Sequence, residues 1–239
     1  MFQNNMKLKT EIDMATKKIL IQPTENIKPG KAEIIELYSD YCLMHGHKPA
    51  TVYKFAKENG FEEADFYKYF TSFDSLERFY FVEMFNHALE TLEPSPTYSD
   101  FNGVEKLSAF YFTFFEIATA NRSFVLYSMQ EGGSPLSNLT KLKELRGEFV
   151  KYAQAVLDKP FTTENQRADK FQTDALREGA WLQFLSIFKF WIKDTSPGFE
   201  KTDIFIEKSV KASSDLVYNT PLKSLFDLGK FMWKEKFTV

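Results

Sequence analysis

After residue 30, apolar residues recur along most of the chain at the spacing that places them on one side of an α-helix. Gly and Pro, the residues that most often interrupt helices, number only 10 and 9. The pattern therefore predicts an all-α protein. Beyond the first three helices, the predicted helices cover residues 75–92, 102–120, 122–131, 136–158, 163–194, 201–218 and 221–235.

The first three predicted helices follow a helix-turn-helix order. The first helix ends near His45, the second begins at or is capped by Thr51, and the third covers residues 62–70. The second and third helices are short, and Asn59-Gly60 supplies a tight turn between them. The sequence therefore predicts a three-helix head that is followed by a larger helical domain.

The segment ATVYKFAKENGFEEADFYKYFTSFDSL, Ala50 to Leu76, resembles the DNA-binding end of the tetracycline-repressor (TetR) family. That family shows Thr-Val, Ile-Ala, a glycine turn, a Tyr-x-His/Tyr-Phe core, Ser-Lys-Glu and Leu. This chain supplies Thr51-Val52, Phe55-Ala56, Gly60, Tyr67-Lys68-Tyr69-Phe70, Ser72, Asp74 and Leu76. The end of the chain is similar to a Bacteroidetes-type subgroup of the family. Residues 1–30 are predicted to form a flexible basic arm, because lysines outnumber acids there and proline and glycine break the segment; the arm is either a solvated tail or a contact for DNA. The resemblance implies a helix-turn-helix DNA-binding-like domain at 31–76 and a helical ligand-binding and dimerisation domain at 77–239.

The resemblance also implies that the head contacts DNA. The candidate DNA-binding residues are Lys48, Thr51, Lys54, Asp65, Tyr67, Lys68 and Tyr69. Lysines and hydroxyl groups can reach the phosphate backbone, and an acidic side chain near a groove can accept a hydrogen bond from a cytosine amino group. Tyr67 and Phe70 have an alternative role as core residues of the three-helix unit.

The charge of the head differs from that of a typical DNA-binding domain. The family usually carries Ser or Thr at the position of Glu62, often a small hydroxyl residue at Asp65, and Lys at Phe73. From Gly46 to Tyr80 the chain has five cations and six acids, a net charge of −1. Because Lys and Arg supply much of the affinity for DNA phosphates, this charge raises the alternative that the head no longer binds DNA.

The larger domain is rich in aromatic side chains, and Phe alone occurs 26 times in the chain. The stretch YFTFFEIA from Tyr111 is aromatic on every side of its helix, so that helix must be covered all round. Core packing explains most of these rings, and a pocket for an apolar ligand between helices is the alternative. The candidate ligand-binding residues are Phe110, Phe114, Phe115, Arg122, Tyr127, Trp181, Phe184 and Phe188.

Two helices of the larger domain, at about 163–194 and 201–218, are the predicted homodimer interface. The first carries WLQFLSIFKFWI from Trp181, an apolar arc too wide to be covered by one side of a small domain. The second places the small residues Ser209 and Ala212 where they allow helices to approach closely. TetR-like dimers join two such helices from each subunit, and the two-fold dimer is the commonest assembly.

Charge and cysteine content limit the surroundings in which the chain works. The net charge of −3 gives no bulk attraction to nucleic acid or anionic membrane, so DNA binding requires a local basic patch. The single cysteine, Cys42, excludes an intramolecular disulfide and suits a reducing compartment. The chain shows no secretory signal and no apolar run that could span a membrane, so the predicted location is the cytoplasm.

Signals for catalysis or metal binding are absent from the sequence. The three histidines, His45, His47 and His87, have no carboxylate or thiol beside them at metal-ligand spacing. Phosphate-binding glycine loops and nucleophile motifs are also missing. We therefore predict no catalytic residue, no metal site, no cofactor and no enzymatic activity.

Two functional hypotheses fit this sequence. The first is a TetR-like transcriptional regulator that binds DNA as a homodimer and responds to an apolar small-molecule effector. The second is a TetR-fold protein that has lost DNA binding and carries a lipid or quinone-like ligand, as some similar proteins of ubiquinone biosynthesis do. A dimeric scaffold without a ligand is a third possibility.

Overall fold

The computed structural model describes residues 28–130, 135–159 and 166–219, and these residues form helices and turns without a β-strand. The predicted all-α class is confirmed. The α-helices are α1 (Lys31–His45), α2 (Val52–Glu58), α3 (Glu63–Tyr67), α4 (Phe73–Leu92), α5 (Pro96–Asp100), α6 (Gly103–Ala120), α7 (Arg122–Gln130), α8 (Pro135–Lys141), α9 (Lys143–Val156), α10 (Gln166–Lys193) and α11 (Glu200–Ser214). A 3-10 turn, Pro197–Phe199, precedes α11, and a π-helical turn, Asp215–Asn219, follows it. The predicted arm up to residue 27 and the predicted helix at 221–235 lie outside the described residues.

The described residues gather into two compact units that divide between Leu76 and Glu77, within α4. The smaller unit contains α1, α2, α3 and the first turn of α4, and we call it the head. The larger unit contains the rest of α4 and the helices that follow. The functional roles that the sequence assigns to the two predicted domains stay predictions.

Aromatic rings form the core of the head. Phe55 and Phe66 are fully buried, and Phe70 is only 3% exposed, so the alternative role of Phe70 as a core residue is confirmed. Phe73 stacks on Tyr38 with ring centroids 5.0 Å apart and meets Phe66 edge-on at 5.4 Å. Aromatic pairs of this kind add to the stability of a core beyond their buried area. Phe73 is half-buried and packs against the aromatic core of the head, at a position where the resemblance implies a phosphate-contacting Lys.

Local sequence signals at the helix ends determine where the two short helices of the head begin and end. The Thr51 hydroxyl caps α2 by accepting a hydrogen bond of 3.1 Å from the backbone N–H of Lys54. Gly60 in the following turn has a φ of +75°, a left-handed conformation that glycine adopts at little cost. Glu62 occupies the N-cap of α3, but its carboxylate makes no capping hydrogen bond. The predicted helix-turn-helix arrangement of α2 and α3 is thus present.

The larger unit is built around α10, a helix of 28 residues. This helix packs against α6, α9 and α11, and α6 also packs against α9 and α11. The largest fully buried side chains of this core are Phe81, Phe110, Tyr111, Phe114, Phe149, Phe184 and Trp191. Fully burying a phenylalanine side chain stabilises a fold by about 1.5–3 kcal/mol, so these rings are a main source of stability for the unit.

A buried ion pair joins α4 to α8 within the larger unit. Glu77 is fully buried, and its carboxylate lies 2.7 Å from the ammonium of Lys141. Lys141 also donates a hydrogen bond to the backbone carbonyl of Ser128 in α7. Removing either partner of a buried pair leaves an uncompensated charge, so the pair favours one arrangement of α4, α7 and α8. This pair could not be predicted from the sequence, because its partners are far apart in the chain.

Two helix predictions differ from the structure. The single helix predicted at 136–158 is two helices, α8 and α9, because the chain leaves helical geometry at Leu142, where φ is −91° and ψ is 7°. The break lets Leu142 bury its side chain completely in the core. The short helix α5 is absent from the predicted elements. Pro96 begins α5 at a position where the missing N–H of proline costs no hydrogen bond.

Candidate functional site

The four lysines between Gly46 and Leu76 each pair with a carboxylate of the head. The nitrogen–oxygen distances are 2.8 Å for Lys48–Asp74, 3.6 Å for Lys54–Glu58, 3.2 Å for Lys57–Glu62 and 2.5 Å for Lys68–Asp65. Exposed pairs of this kind contribute only about 0.2–1 kcal/mol to stability. Their consequence for DNA binding is larger, because each cation that could meet a phosphate already has an acidic neighbour.

Asp65, a candidate DNA-binding residue, is engaged within its own helix. Its side chain belongs to the first turn of α3 and the residue is only 8% exposed. A hydrogen bond from Lys68 lowers the pKa of Asp65, while burial raises it; the charge of Lys68 and a hydrogen bond from the Glu62 backbone lower it further. The Asp65 carboxylate is therefore held as an anion that faces Lys68, an arrangement that does not favour the predicted contact with a base.

The other candidate DNA-binding residues of α2 and α3 reach the surface. Tyr67 is 53% exposed and Tyr69 is 44% exposed, and Thr51 and Lys54 are also exposed. The alternative that Tyr67 is a core residue is wrong, because its hydroxyl lies at the surface and donates a hydrogen bond of 3.3 Å to Glu63. These side chains remain available to a DNA backbone, so their predicted role is unchanged.

Tyr53 is a further surface residue of α2 that is not among the candidate DNA-binding residues. It is 58% exposed, and the ammonium of Lys57 lies 6.0 Å from the centre of its ring. An exposed tyrosine presents both a hydroxyl group and a flat apolar face to a partner. The signal that could have found Tyr53 is its position between the capping residue Thr51 and the exposed Lys54.

The larger unit contains a cavity of about 630 Å³, bordered by the start of α6, by residues 171–183 of α10, and by the end of α11 with the turn that follows it. Small-molecule sites commonly enclose about 300–1,000 Å³, so this volume suits a ligand of moderate size. The residues that line the cavity are Val104, Leu107, Leu157, Phe171, Gln172, Ala175, Leu176, Gly179, Ala180, Gln183, Val210, Ser213, Ser214, Leu216, Val217 and Tyr218.

The wall of this cavity is mostly apolar and, over the described residues that line it, carries no Asp, Glu, Lys, Arg or His. Burying an apolar ligand there is favourable by about 25 cal/mol for each Å² of apolar surface removed from water. A charged ligand group would lose its hydration without meeting an opposite charge on these residues. The chemistry of the wall therefore favours an apolar ligand without a net charge.

Gln172, in the first half of α10, is the unusual polar residue of the wall. It is only 6% exposed, and among the described residues neither the nitrogen nor the oxygen of its side-chain amide has a hydrogen-bond partner. A buried polar group without a partner costs about 1–3 kcal/mol. Gln172 thus retains unused hydrogen-bonding capacity beside an apolar cavity.

Gln183, the second amide of the wall, is fully engaged by contrast. Its Oε1 accepts a hydrogen bond of 3.4 Å from the hydroxyl of Tyr111, and its Nε2 donates to Ser209 at 3.3 Å and to Ser213 at 3.2 Å. Burial raises the pKa of Tyr111 well above its ordinary value, and its hydroxyl also donates to the Ala180 carbonyl at 2.9 Å. This network connects α6, α10 and α11 and holds one side of the cavity in place.

The predicted ligand-binding aromatics lie in the core, and none of them lines the cavity. The six concerned are Phe110, Phe114, Phe115, Trp181, Phe184 and Phe188, each buried. Trp181 and Phe184, for example, stack with ring centroids 5.2 Å apart. Tyr127 lies in α7, where it stacks on Phe124 at 6.2 Å, and it does not line the cavity either. The physical reason is that aromatic density shows how much volume is filled, while a cavity lies where side chains are too small to fill it.

Comparison with known proteins identifies the family. A family model described as Tetracyclin repressor-like, C-terminal domain, matches residues 106–232, which is more than half of the 239-residue chain. The chain belongs to the TetR family. A comparison of this chain with curated proteins found no match. The match lies in the larger unit, so it is independent of the resemblance carried by residues 50–76 in the head. TetR-family proteins are transcriptional regulators, and usually dimers that bind DNA.

In this TetR-family protein, Arg122, a candidate ligand-binding residue, supports the α10–α11 corner and does not line the cavity. Its guanidinium donates hydrogen bonds to the backbone carbonyls of Trp191 and Ile192 at 3.0 Å and of Asp194 at 3.3 Å. The guanidinium also lies 4.5 Å from the ring centres of Trp191 and Phe199. The last carbonyls of a helix lack hydrogen-bond donors within that helix. At the end of α10, the Arg122 guanidinium donates these hydrogen bonds.

Asp194 also stabilises this corner, through its side chain. It is 6% exposed, and its carboxylate accepts hydrogen bonds from the N–H and hydroxyl of Ser196 and from the N–H and hydroxyl of Thr202, at 2.7–2.9 Å. Burial raises the pKa of Asp194, but the hydrogen bonds from Ser196 and Thr202 outweigh burial and lower it to about 2. The carboxylate thereby connects the end of α10 to the start of α11.

Acid is expected to destabilise this TetR-family protein through Asp194. The folded pKa lies below the unfolded value of about 3.9, so the stabilisation is complete above that value and disappears as the pH falls towards 2. Asp194→Asn is expected to lower the free energy of unfolding at pH 7 by about 1.5–3 kcal/mol, because hydrogen bonds to a charged acceptor are lost. Urea unfolding from neutral to acidic pH measures both effects.

The matched control for that experiment is Asp100→Asn in α5, where the side chain is exposed. This change removes the same charge and is expected to leave stability within about 0.5 kcal/mol, as surface substitutions usually do. If Asp194→Asn retained the wild-type loss of stability in acid, Asp194 would not be its source.

The described residues contain neither a metal-binding cluster nor a membrane-spanning helix. Nowhere in these ranges do three or more His, Cys, Asp or Glu side chains gather so that they could hold a metal ion. His45 stacks on Tyr41 with ring centroids 4.1 Å apart, and its Nδ1 hydrogen-bonds with the Tyr41 carbonyl at 2.9 Å. No described helix has the length and apolar character that crossing a membrane requires.

Proposed function

We propose that this protein is a ligand-responsive transcriptional regulator that binds DNA as a homodimer and takes an apolar small molecule into its cavity. The observation that carries the proposal is the cavity of about 630 Å³, which has a mostly apolar wall and lies in the larger unit, where the family match also lies. Cytoplasmic location, the absence of catalysis and the absence of a cofactor remain predictions from the sequence.

Exposed apolar side chains on α10 and α11 support the homodimer. Leu182 in α10 is 64% exposed and Ile204 in α11 is 48% exposed. Phe190 and Phe205 stack across the two helices with ring centroids 4.5 Å apart, and both remain partly exposed. Apolar surface that two copies can share across a two-fold axis favours a symmetric dimer. The proposed interface is the one predicted at about 163–194 and 201–218.

The cavity and the proposed dimer face share their helices, which supplies a route for regulation. One side of α10 and α11 borders the cavity, and exposed residues such as Leu182 and Ile204 lie on the same two helices. A ligand that changes the packing of these helices also changes the relative orientation of the two subunits. A ligand can shift the equilibrium between two orientations of the subunits only if it binds one of them more tightly. The effector must therefore bind more tightly to the orientation that does not bind DNA.

Surface residues of the head are the proposed DNA contacts. Thr51, Lys54, Tyr67, Lys68 and Tyr69 are exposed, and hydroxyl and ammonium groups of these types commonly contact phosphates. Lys48 and Asp65 belong to the same proposed surface, but their side chains are only 24% and 11% exposed, so we assign them smaller roles.

A cavity-filling variant tests the proposed ligand site. Gly179 lines the cavity, and a Cβ atom added there meets no atom within 4 Å. Gly179→Leu is therefore expected to fold and to reduce binding of the uncharged apolar dye Nile red by about tenfold or more, since its side chain occupies the binding volume. Dye fluorescence titration measures the affinity.

Gly147→Leu in α9 is the matched control, because it adds the same side chain to a helix at a position that is also open and does not line the cavity. It is expected to leave the dye affinity unchanged. If both variants bound the dye with equal affinity, the cavity would not be the ligand site of the proposed function.

The second candidate function, a ligand carrier without DNA binding, is favoured by the ion pairs of the head. The lysines from Lys48 to Lys68 each have an acidic neighbour, which weakens the attraction to phosphate. A mobility-shift assay at low salt, with duplexes from the regions next to the gene, separates the two functions. Retarded DNA that is released by ligand supports the regulator. No retardation, with an apolar molecule found by native mass spectrometry in the purified protein, supports the carrier.

A further inference from the structure

We propose that the side-chain amide of Gln172 selects ligands with an uncharged polar group that both donates and accepts hydrogen bonds, attached to an apolar body. This inference rests on the proposed function, because it specifies the ligand class for the same cavity. A primary amide on an alkyl chain is the simplest member of the class.

The unused hydrogen-bonding capacity of Gln172 carries the proposal. The residue lines the cavity and is 94% buried, given that 6% of it is exposed. Neither amide atom has a partner within residues 28–130, 135–159 and 166–219, so a rotation of the side chain towards the cavity breaks no hydrogen bond there. A ligand that supplies one donor and one acceptor satisfies both atoms together, because an amide offers an N–H and a C=O side by side.

The rest of the wall excludes charged ligands of similar shape. Its described lining residues include no cation that could pair with a carboxylate and no anion that could pair with an ammonium. A charged head group would therefore lose its hydration without compensation. The hydroxyls of Ser213 and Tyr218 are already directed to the backbone carbonyls of Val210 and Asp158, at 3.0 Å and 2.7 Å.

Gln183 does not serve as an alternative selector. Its amide oxygen accepts from Tyr111, and its amide nitrogen donates to Ser209 and Ser213. A ligand that bound Gln183 through both atoms would have to displace these partners. The selectivity is therefore assigned to Gln172, and Gln183 holds the wall.

A matched ligand series measures the selectivity directly. Dodecanamide donates and accepts, N,N-dimethyldodecanamide and methyl dodecanoate only accept, and dodecanoate is an anion. With the purified full-length protein, dodecanamide is expected to displace Nile red at a concentration about tenfold lower than either acceptor-only compound, which reflects one additional satisfied donor–acceptor pair. Dodecanoate is expected to be the weakest of the four.

The variant Gln172→Met keeps the length of the side chain and removes both hydrogen-bonding atoms. It is expected to abolish the preference for dodecanamide over methyl dodecanoate, because the amide N–H of the ligand then has no acceptor at this position. Should the variant not fold, the comparison of the two amides with the wild-type protein decides the question alone, since their head groups differ in the ability to donate.

The possible outcomes separate this inference from the proposed function. If Gly179→Leu did not weaken the dye and none of the four compounds displaced it, the cavity itself would fail as a ligand site. If the compounds displaced the dye equally well, or dodecanoate displaced it best, the cavity would stand and the selectivity of Gln172 would be refuted. Preference for dodecanamide that survives in Gln172→Met would also overturn the assignment to Gln172.

Discussion

Gly103→Ala is expected to lower the free energy of unfolding by at least about 3 kcal/mol, at the upper end of what overpacking costs. Gly103 is buried at the start of α6. A Cβ atom added there falls well inside van der Waals contact with the carbonyl oxygen of Val156, 2.9 Å from the carbonyl carbon of the same residue, and 3.1 Å from the Cα of Leu157. These are backbone atoms, so no side-chain rotation can relieve the overlap.

The clash has a consequence for the cavity as well as for stability. Val104, which follows Gly103, and Leu157 both line the cavity, so separating α6 from the end of α9 moves two parts of its wall. Gly103→Ala is therefore expected to weaken the binding of Nile red even under conditions where the protein remains folded. Urea unfolding and dye titration on the same preparation measure the two effects.

Gly147→Ala in α9 is the control for this substitution. A Cβ atom at Gly147 meets nothing within 4 Å, and Ala has a higher helix propensity than Gly. The control is expected to raise stability by about 0.4–1 kcal/mol. If both alanine variants were stabilised, the close approach of the Gly103 and Val156 backbones would not exist in solution.

Helix periodicity predicted most of the architecture because it depends on neighbours along the chain. The turn at Asn59-Gly60 and the cap at Thr51 are local signals of this kind, and the structure has both where the sequence placed them. Leu142 shows the limit. Its apolar side chain fits a helical pattern, but the chain breaks there so that Leu142 can enter a core formed by distant residues.

Charge counting along the head predicted its net charge of −1 but not the pairing of its side chains. The pair Lys54–Glu58 is four residues apart on one helix and could be derived from helical spacing. The pair Lys48–Asp74 joins residues 26 positions apart, so only the folded head brings them together. Phe73 is similar, since its contact with Tyr38 requires the packing of α1 against the start of α4.

The cavity was the least predictable feature. The abundance of aromatic residues predicted ligand contacts at rings such as Trp181 and Phe184, which are buried in the core. The cavity is bordered instead by smaller residues such as Ala175 and Gly179, and by Gln172. In the sequence, Gln172 is one polar residue among many in α10, and its lack of a partner becomes visible only when every neighbour is placed.

Replacing Glu62 and Asp65 together by Ser is expected to strengthen DNA binding by about 10- to 100-fold at low salt, since affinity for DNA rests on cations that neutralise phosphates. Glu62 pairs with Lys57, and Asp65 pairs with Lys68. Removing both acids frees two cations in each head and removes two negative charges from the surface that faces the phosphates in our proposal. Ser at the N-cap of α3 can also make the capping hydrogen bond that Glu62 does not make.

The salt dependence of binding provides the sharper measurement. Each additional cation that neutralises a phosphate steepens the plot of log affinity against log salt concentration by about 0.9. Two freed lysines in each head therefore predict a slope that is steeper by about 1.8 for each bound head. Fluorescence anisotropy with a duplex from the region upstream of the gene, at several salt concentrations, gives both the affinity and the slope.

The double variant Glu36→Ser, Asp40→Ser is the matched control, because it removes two exposed acids from α1 while leaving the four lysine pairs of the head intact. Net charge changes by the same amount in both variants. They differ only in whether Lys57 and Lys68 lose their carboxylate partners. An equal gain in affinity and slope in the control would show that overall charge, not the Lys57 and Lys68 pairs, limits binding. If neither variant bound DNA, the missing cations would not be the reason, and the carrier function would become the better account of the acidic head.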